Sequence, residues 1–432
     1  MARPLLLRRV RLAIGGVADV LLADGKIAAV GGYPPVDSAS AEVLDLRGYL
    51  LLPSLAEPHV HLDKAFTAAS IANPGGSLRG ARDAWVAARP ELSTASIAAR
   101  AWTAATRYLA HGTTAIRAHV DVGKGIGLRA LHAVLDVRAD LAGVVDVEIV
   151  ALASVPVTGR AGAANRALLR DALSAGADLA GGTPELDDDP GGAVDAIAAV
   201  AAGAAAGLDL HIDETIDPAA GTLPRLIAVA EAGFGYPITA SHVISLGEQA
   251  PERRQAAARS LAGAGIGVVT LPQTSLVLQG HGLGSAAPRG LTAVRELLAT
   301  GVALAAGGDN LQDLFNPMGR ADPLEAAALL VVGAHLTPAE AFAAVTSAAR
   351  DVMRLPAVTI TPGAPADLVA IRAADLGTAI ASGTPDRIVM RGGKVVARTQ
   401  VSAELAVAPA PGNVPAWNVP RARTAGDGPA SG

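Results

Sequence analysis

The middle of the chain alternates short β-rich runs with alanine-rich helical segments. The predicted strands are residues 114–119, 145–151, 209–212, 238–242, 267–271 and 303–306. The predicted helices are residues 96–110, 165–175, 193–206, 251–264, 293–299 and 323–333. A strand followed by a helix, repeated many times, is typical of a parallel sheet covered by helices. We therefore predict an α/β fold, and the number of repeats favours closure into a (β/α)8 barrel.

Both ends of the chain instead carry the pattern of short β-strands joined by tight turns. Residues 17–22 and 26–30 flank an Asp-Gly turn, and residues 387–397 contain a Gly-Gly turn. Such dipeptides between apolar runs are typical of β-hairpins. Residues 366–371 form a further predicted strand. Because each end alone has too few strands to be stable, we predict that the two ends pack into one small β domain.

Histidines and carboxylates follow several of the predicted strands. His59 and His61 come after the apolar run 49–53, which we interpret as a short buried strand whose alternate residues share a face. Later strands end in His119 and Asp121, in His211, Asp213 and Glu214, in His242, and in Asp309. Each residue alone has an ordinary explanation, such as capping the next helix. Five predicted strands that all carry such residues at their C-terminal ends predict a metal site at the C-terminal face of the barrel.

Composition limits both the metal chemistry and the partners. The chain has no cysteine, so a metal must be held by His, Asp, Glu or a modified lysine. The formal net charge of −5 does not indicate the excess of basic residues that is typical of proteins that bind nucleic acid. No apolar run reaches the ~18 residues of a membrane span, and the first residues lack a secretory signal pattern. We therefore expect a cytoplasmic protein that acts on a small molecule, without a nucleic-acid or membrane partner.

As a set, these strand ends resemble the motifs of the amidohydrolase superfamily. The resemblance is narrower to its cytosine-deaminase-like branch, through EPHVHLD at residues 57–63, IRAHVDV at 116–122, HIDE at 211–214, ASH at 240–242 and LQG at 278–280. It implies a distorted (β/α)8 TIM barrel over residues 53–358, with a small β-sandwich formed by residues 1–52 and 359–405. Residues 406–432, rich in proline, alanine and glycine, are predicted to be a loosely held tail.

The resemblance also implies roles for individual residues. His59, His61, His211 and Asp309 would bind one divalent ion, for which Zn²⁺, Fe²⁺ and Mn²⁺ are all credible. No lysine stands at the end of the predicted fourth strand, residues 147–154, so one metal ion is favoured over two. The metal would supply hydroxide by lowering the pKa of bound water toward ~7. Glu214 would be the proton shuttle, His242 would orient the hydroxide or stabilise developing charge, and Asp309 would also act as the initial base.

The residues expected to contact the substrate are Lys64, His119, Ser154, Gln279 and Asn310, with His281 as a further pocket residue. Lys64 could equally be a salt-bridged structural residue. Cytosine-specific members carry a glutamine after the fourth strand that binds the pyrimidine ring, whereas the stretch that resembles this place here, residues 152–156, offers Ser154 or no equivalent residue. A buried site without that amide would leave the edge of cytosine unpaired, at a cost of ~1–3 kcal/mol.

The sequence therefore predicts a metal-dependent hydrolase that cleaves a C–N bond of a small nitrogen heterocycle, without specificity for cytosine. The same machinery could instead open a cyclic amide or remove an N-alkyl group from an aminotriazine. The third alternative is a barrel that binds a ligand without catalysis. The presence of all four predicted metal ligands and of Glu214 argues against it. Zinc deaminases of the nucleic-acid-editing type are excluded because they need cysteine ligands. Barrels with apolar helix faces often associate, so we expect a homo-oligomer.

Overall fold

The structure, a computed structural model, describes residues 3–32 and 41–402. The chain divides into two compact units, one of which is Ser54–Ala357. The other consists of the two flanking segments, Met1–Pro53 and Val358–Gly432. The predicted tail, residues 406–432, lies outside the described residues. Among the helices that are described, none has the length and apolar character needed to cross a lipid bilayer.

The larger unit is a barrel of eight parallel strands, adjacent to one another in their order along the chain. These strands are β6 (Leu55–Val60), β7 (Thr113–Val122), β8 (Asp146–Ala153), β9 (Leu179–Gly182), β10 (Gly207–Ile212), β11 (Ile238–His242), β12 (Gly267–Thr270) and β13 (Leu304–Ala306). A parallel bridge between Val60 and Asp309 joins the first strand to the segment after the last. The predicted (β/α)8 barrel is therefore confirmed. The bridge that closes the barrel involves Asp309, one of the predicted metal ligands.

Helices connect the barrel strands and pack against them. They are α1 (Leu78–Ala88), α2 (Thr94–Ala110), α3 (Arg129–Asp140), α4 (Ala163–Ser174), α5 (Pro190–Gly203), α6 (Thr222–Glu231), α7 (Ser245–Glu248), α8 (Pro251–Ala264), α9 (Pro272–Leu278), α10 (Val294–Ala299), α11 (Pro323–Gly333), α12 (Pro338–Ala344) and α13 (Ser347–Val352). In α2, for example, Ile97, Ala101, Ala104 and Tyr108 are buried at helical spacing, so one apolar stripe faces the core. The six helices and six strands predicted for this region are all present, with ends displaced by three residues at most.

The smaller unit is one mixed sheet in the order β16-β15-β14-β5-β1-β2-β3, with β4 paired to β1. Its strands are β1 (Leu5–Leu12), β2 (Val17–Ala23), β3 (Lys26–Gly31), β4 (Glu42–Asp45), β5 (Tyr49–Pro53), β14 (Leu368–Arg372), β15 (Arg387–Arg391) and β16 (Lys394–Thr399), with helix α14 (Leu376–Ser382) between β14 and β15. In the first hairpin Asp24 and Gly25 have φ values of 50° and 78°, the left-handed conformation that a tight two-residue turn requires. The predicted β domain built from both ends of the chain is confirmed.

The strand that carries His59 differs from the prediction. Tyr49–Pro53 is β5 of the small sheet, where it pairs with β1 and β14, whereas the barrel strand β6 begins at Leu55. The sequence pattern hides this boundary because only Pro53 and Ser54 separate the apolar residues of the two strands. Pro53, which lacks a backbone N–H donor, ends the first of them. His59 therefore lies within β6, and His61 follows its last residue.

Strand β9, the fourth strand of the barrel, was not predicted from the sequence. Its residues, Leu-Ala-Gly-Gly, have low β-propensity and form no alternating pattern. Close packing requires glycine at position 181, because a Cβ on Gly181 would lie 2.5 Å from Val150 Cγ1 and 2.8 Å from the backbone oxygen of Asp209. The strand is therefore specified by its neighbours rather than by its own residues.

The missed strand changes the position of the segment that contains Ser154. Residues 147–153 belong to β8, the third strand of the barrel, so their prediction as the fourth strand is wrong. The residues that follow the true fourth strand are Thr183, Pro184 and Glu185. No lysine stands there either, so the sequence argument for one metal ion rather than two is unchanged.

Candidate metal and active site

Six buried titratable side chains converge at the C-terminal face of the barrel. His59 lies in β6, His211 in β10 and His242 at the end of β11. His61, Glu214 and Asp309 lie just beyond β6, β10 and β13. Each of the six is less than a tenth exposed to solvent. The structure thus brings together all the residues predicted to bind metal or to act in catalysis, which we call the histidine cluster.

Three distances between predicted ligand atoms are those of ligands that share one metal ion. Asp309 Oδ1 lies 3.3 Å from His61 Nε2 and 3.6 Å from His59 Nε2. His61 Nε2 also lies 3.3 Å from His211 Nε2. Two ligands held about 2.1 Å from a tetrahedral ion are about 3.4 Å apart. Each of these three pairs of atoms is therefore compatible with a shared divalent ion.

Several atoms of the histidine cluster are fully buried and have no hydrogen-bond partner. They are His59 Nε2, His211 Nδ1, both ring nitrogens of His242 and both carboxylate oxygens of Asp309, together with the ring nitrogens of the adjacent His119. Buried polar atoms of this kind cost free energy unless something satisfies them. The groups His59, His119, His211 and His59, His242, Asp309 each place three ligand atoms within 4.8 Å of one another. The residues present therefore fit a bound divalent metal ion.

Hydrogen bonds behind the histidine cluster fix the orientation of His59. Its Nδ1 lies 2.9 Å from Ser241 Oγ, which donates to Asp209 Oδ1 at 2.7 Å. Arg117 donates to Asp209 Oδ2 at 2.9 Å. Burial would raise the pKa of Asp209, but His119 and Arg117 hold that pKa below its usual value, so the residue is an acceptor. His59 Nδ1 therefore donates to Ser241, which leaves the Nε2 lone pair facing the cluster.

His61 has two polar neighbours at Nδ1. That atom lies 3.2 Å from the backbone oxygen of His119 and 3.2 Å from Lys64 Nζ. Its Nε2 lies 3.3 Å from Asp309 Oδ1, which is also 3.6 Å from the Nε2 of His59. A cation between these atoms is favoured, because it attracts both the carboxylate and the imidazole lone pair of His59.

Ser241→Ala tests the hydrogen bonds behind His59. The substitution removes the acceptor for His59 Nδ1, so we expect metal affinity to fall by about 10- to 100-fold. Competition with a chelator of known affinity measures this loss without any need for turnover. Ser275→Ala is the control, because Ser275 is a buried serine on α9 whose side chain has no described hydrogen bond to the cluster. Unchanged affinity in Ser241→Ala would exclude this role for the serine.

Glu214 and His242 lie side by side in the histidine cluster. Glu214 Oε1 is 3.8 Å from His242 Nδ1. Burial raises the pKa of Glu214 well above its usual value, and the nearby carboxylates of Asp309 and Glu185 add to the effect. Burial also lowers the pKa of His242 to about 4. The environment of Glu214 thus favours its protonated form, and it lies beside an imidazole that is neutral at pH 7, an arrangement suited to proton donation.

Glu185, three residues after the end of β9, contacts the backbone of Glu214. Its Oε1 accepts a hydrogen bond from the backbone N–H of Glu214 at 3.2 Å, while its Oε2 is buried without a partner. Burial raises the pKa of Glu185 to about 8. The sequence analysis did not identify this residue, because the strand that precedes it was missed.

Glu57 holds the segment that leads to Asp309. Its carboxylate accepts hydrogen bonds from the backbone N–H of Gly308 at 3.0 and 3.1 Å and from that of His59 at 3.1 Å. A Cβ on Gly307 would lie 2.6 Å from Glu57 Oε1, so the close approach requires glycine there. The backbone N–H of Asp309 donates to the oxygen of His59 at 2.9 Å, which holds Asp309 at a φ of 60°. The first motif thus also positions the last predicted ligand.

A cavity with about 730 Å³ of empty space, its opening to solvent included, lies over the histidine cluster. Part of its wall is formed by His61, His211, His242, Glu214 and Asp309. Another part is formed by α1 and the turn after it, through Leu78, Arg82, Trp85, Val86 and Arg89. Its size is within the range of small-molecule sites.

Asp121 connects the first motif to the α1 part of the wall. It accepts hydrogen bonds from Lys64 Nζ at 2.7 Å and from Trp85 Nε1 at 2.6 Å, and it pairs with the guanidinium of Arg89. Arg89 also donates to Ser154 Oγ at 2.9 Å. Lys64 is therefore a buried, ion-paired residue that also lines the cavity, so the structure agrees with both roles considered for it.

Of the other residues predicted to contact the substrate, two line the cavity and three do not. Ser154 and Asn310 line the cavity, and the amide of Asn310 donates to Asp313 Oδ2 at 2.7 Å. His119 lies outside the cavity wall, since its ring stacks on that of His59 with centroids 3.7 Å apart. Gln279 is also outside the wall, and its amide donates to the backbone oxygen of Glu214 at 3.1 Å. His281 is exposed on the following loop.

Sequence analysis did not identify Arg82, Trp85 and Arg89 as cavity residues. No predicted strand ends near them, so the strand-end argument could not apply. The available signal was the spacing of Leu78, Arg82 and Trp85, which places these residues on one face of a helix. That spacing does not show which face of the helix meets a cavity.

The sequence matches the amidohydrolase family over residues 42–397, which is most of the chain. This chain belongs to the amidohydrolase family. The family membership indicated by the strand-end motifs is therefore confirmed.

Three proteins of known activity are similar to this amidohydrolase over most of their length. The pterin deaminase of Rhizobium rhizogenes is 33% identical over 390 residues, with 88% of each chain covered. The structure of N-isopropylammelide isopropylaminohydrolase from Burkholderia multivorans is 32% identical, with a TM-score of 0.78 and coverage of 92% of this chain and 99% of that one. The structure of 5-methylcytosine deaminase from Klebsiella pneumoniae is 26% identical, with a TM-score of 0.82 and coverage of 92% and 98%.

Proposed function

We propose that this amidohydrolase removes an exocyclic amine from a small nitrogen heterocycle by hydrolysis. Water adds to the ring carbon that carries the amine, the carbon–nitrogen bond breaks, and the products are a ring carbonyl and ammonia. The observation that carries the proposal is the placement of Glu214 and His242 beside the predicted metal ligands in one cavity. An amine leaves only after it has gained a proton, and Glu214 is placed to provide one.

The proposed ligands of a single divalent ion are His59, His61, His211 and Asp309, and their spacing and unpartnered atoms support this assignment. Such an ion supplies a water molecule with a pKa near ~7 as the nucleophile. Three histidines and a carboxylate suit Zn²⁺, which we propose as the metal, and Fe²⁺ and Mn²⁺ are compatible with the same ligands.

Three side chains have separate roles in the proposed reaction. Asp309 has a buried carboxylate oxygen without a hydrogen-bond partner, which is placed to accept the proton of the attacking water. Glu214 gives a proton to the ring nitrogen beside the attacked carbon and is reprotonated by the proton that Asp309 has accepted. Glu214 then protonates the leaving amine and regains a proton from the added hydroxyl as that group becomes the carbonyl. His242, buried and neutral, donates a hydrogen bond to the oxygen on which negative charge develops.

We propose a pterin-like ring as the substrate. The 33% identity to a pterin deaminase over 88% of both chains supports a bicyclic aminoheterocycle. Removal of an alkylamine from a triazine is the second candidate, favoured by the 32% identity to an N-isopropylammelide isopropylaminohydrolase.

Product analysis on metal-replete protein separates these functions. The panel is pterin, cytosine, 5-methylcytosine and N-isopropylammelide, with ammonia and isopropylamine measured separately. We expect ammonia to be released fastest from pterin. Isopropylamine release with no ammonia from any ring would favour the second candidate, and the absence of both amines from the whole panel would contradict the proposed function.

A further inference from the structure

Helix α1 presents one face to the cavity. Leu78, Arg82, Trp85 and Val86 all line it, and their spacings of four, three and one residues place them on the same side of a helix. Trp85 is anchored by its hydrogen bond to Asp121 and is almost fully buried. Arg82 therefore projects from a fixed helix face rather than from a loose loop.

Arg82 is the cation on this part of the wall that lacks a carboxylate partner in the described part of the chain. Lys64 and Arg89 both pair with Asp121, and Lys64 Nζ also lies 3.5 Å from Asp63 Oδ1, so two carboxylates balance these two cations. Arg82 adds a third cation, and no hydrogen bond or ion pair to it is found among the described residues. The other carboxylates that line the cavity, Glu214 and Asp309, belong to the histidine cluster.

We propose that Arg82 binds an acidic substituent of the substrate, such as a carboxylate on the side of the ring that faces α1. This inference rests on the proposed function, because it places the amine of the same ring at the histidine cluster. It narrows the substrate class to anionic aminoheterocycles.

The surroundings of Arg82 suit this task. It is half-buried, so a charge-assisted hydrogen bond to it is screened less than one on an open surface. Its planar guanidinium can donate two parallel hydrogen bonds to one carboxylate. Leu78, Val86 and Phe315 line the cavity as well and provide apolar contacts for the faces of a ring.

The test compares pterin with pterin-6-carboxylate, two ligands that differ only in the acidic group. Their dissociation constants for the metal-replete protein are measured by ligand fluorescence, and ammonia release is followed in parallel. We expect the carboxylate to bind at least about tenfold more tightly than pterin. In Arg82→Gln this preference falls about tenfold, and in Arg82→Lys it falls less because the charge is kept.

Arg79→Gln is the matched control, because Arg79 lies on the exposed side of the same helix and does not line the cavity. Its preference for the carboxylate should equal that of the wild type. Equal binding of the two ligands by the wild type, or an unchanged preference in Arg82→Gln, would overturn the inference even if ammonia is released. Tighter binding of the carboxylate without ammonia from either ligand would support the inference while contradicting the proposed function.

Discussion

Glu214→Gln is expected to keep its metal ion and to lose at least about a hundredfold in turnover, the range that a positioned proton donor contributes. The amide has nearly the shape of the protonated carboxylic acid, so the buried contacts with His242 and Glu185 are preserved. It has no proton to give to the leaving amine, and that step becomes limiting. The measurement is kcat for ammonia release, with metal content determined on the same sample.

The control for this variant is Glu231→Gln, which makes the same change at an exposed carboxylate on α6. It should match the wild type in both metal content and turnover. Wild-type turnover in Glu214→Gln would remove the proton-shuttle assignment. Loss of metal from the same variant would instead place Glu214 among the ligands.

His61→Ala is expected to bind metal at least about a hundredfold more weakly. Removal of a ligand should weaken metal binding more than removal of a residue that only hydrogen-bonds to a ligand. Its Nε2 lies 3.3 Å from both Asp309 and His211, so its removal opens one corner of the proposed site. A bound ion stabilises the folded chain by mass action, so a chelator should lower the melting temperature of the wild type. The same chelator should leave that of His61→Ala almost unchanged.

His132→Ala is the matched control, because His132 is exposed on α3 and distant in sequence from every predicted ligand. Its metal content and its response to chelator should equal those of the wild type. A His61→Ala protein with unchanged metal content would show that the four proposed ligands are not the metal site.

Much of the barrel could be predicted from the sequence, because most of its strands and helices carry their own periodic pattern. Helix α8 was predicted to the residue, since a proline starts it and Gly265, at a φ of 64°, ends it. Strand β9 could not be predicted, because Gly181 is required by the close approach of Val150 and of the Asp209 backbone on the neighbouring strands. The boundary between β5 and β6 was hidden because a single polar residue, Ser54, separates the two strands.

The histidine cluster was predictable for a different reason. Parallel strands end at the same face of a barrel, so a side chain at one strand end is close to those at the others. This rule brought His59, His211 and His242 together without any knowledge of the packing. It gave no information on Arg82 or on Ser241, whose positions depend on helix docking and on contacts between side chains distant in the sequence.

The central claim, hydrolytic loss of ammonia from a ring, is tested most directly by turnover of pterin in ¹⁸O-labelled water. The account predicts that one labelled oxygen enters the ring product for each ammonia released, because water provides the new carbonyl oxygen. A product without the label, or a metal-replete protein that releases no ammonia from the ring, would contradict it.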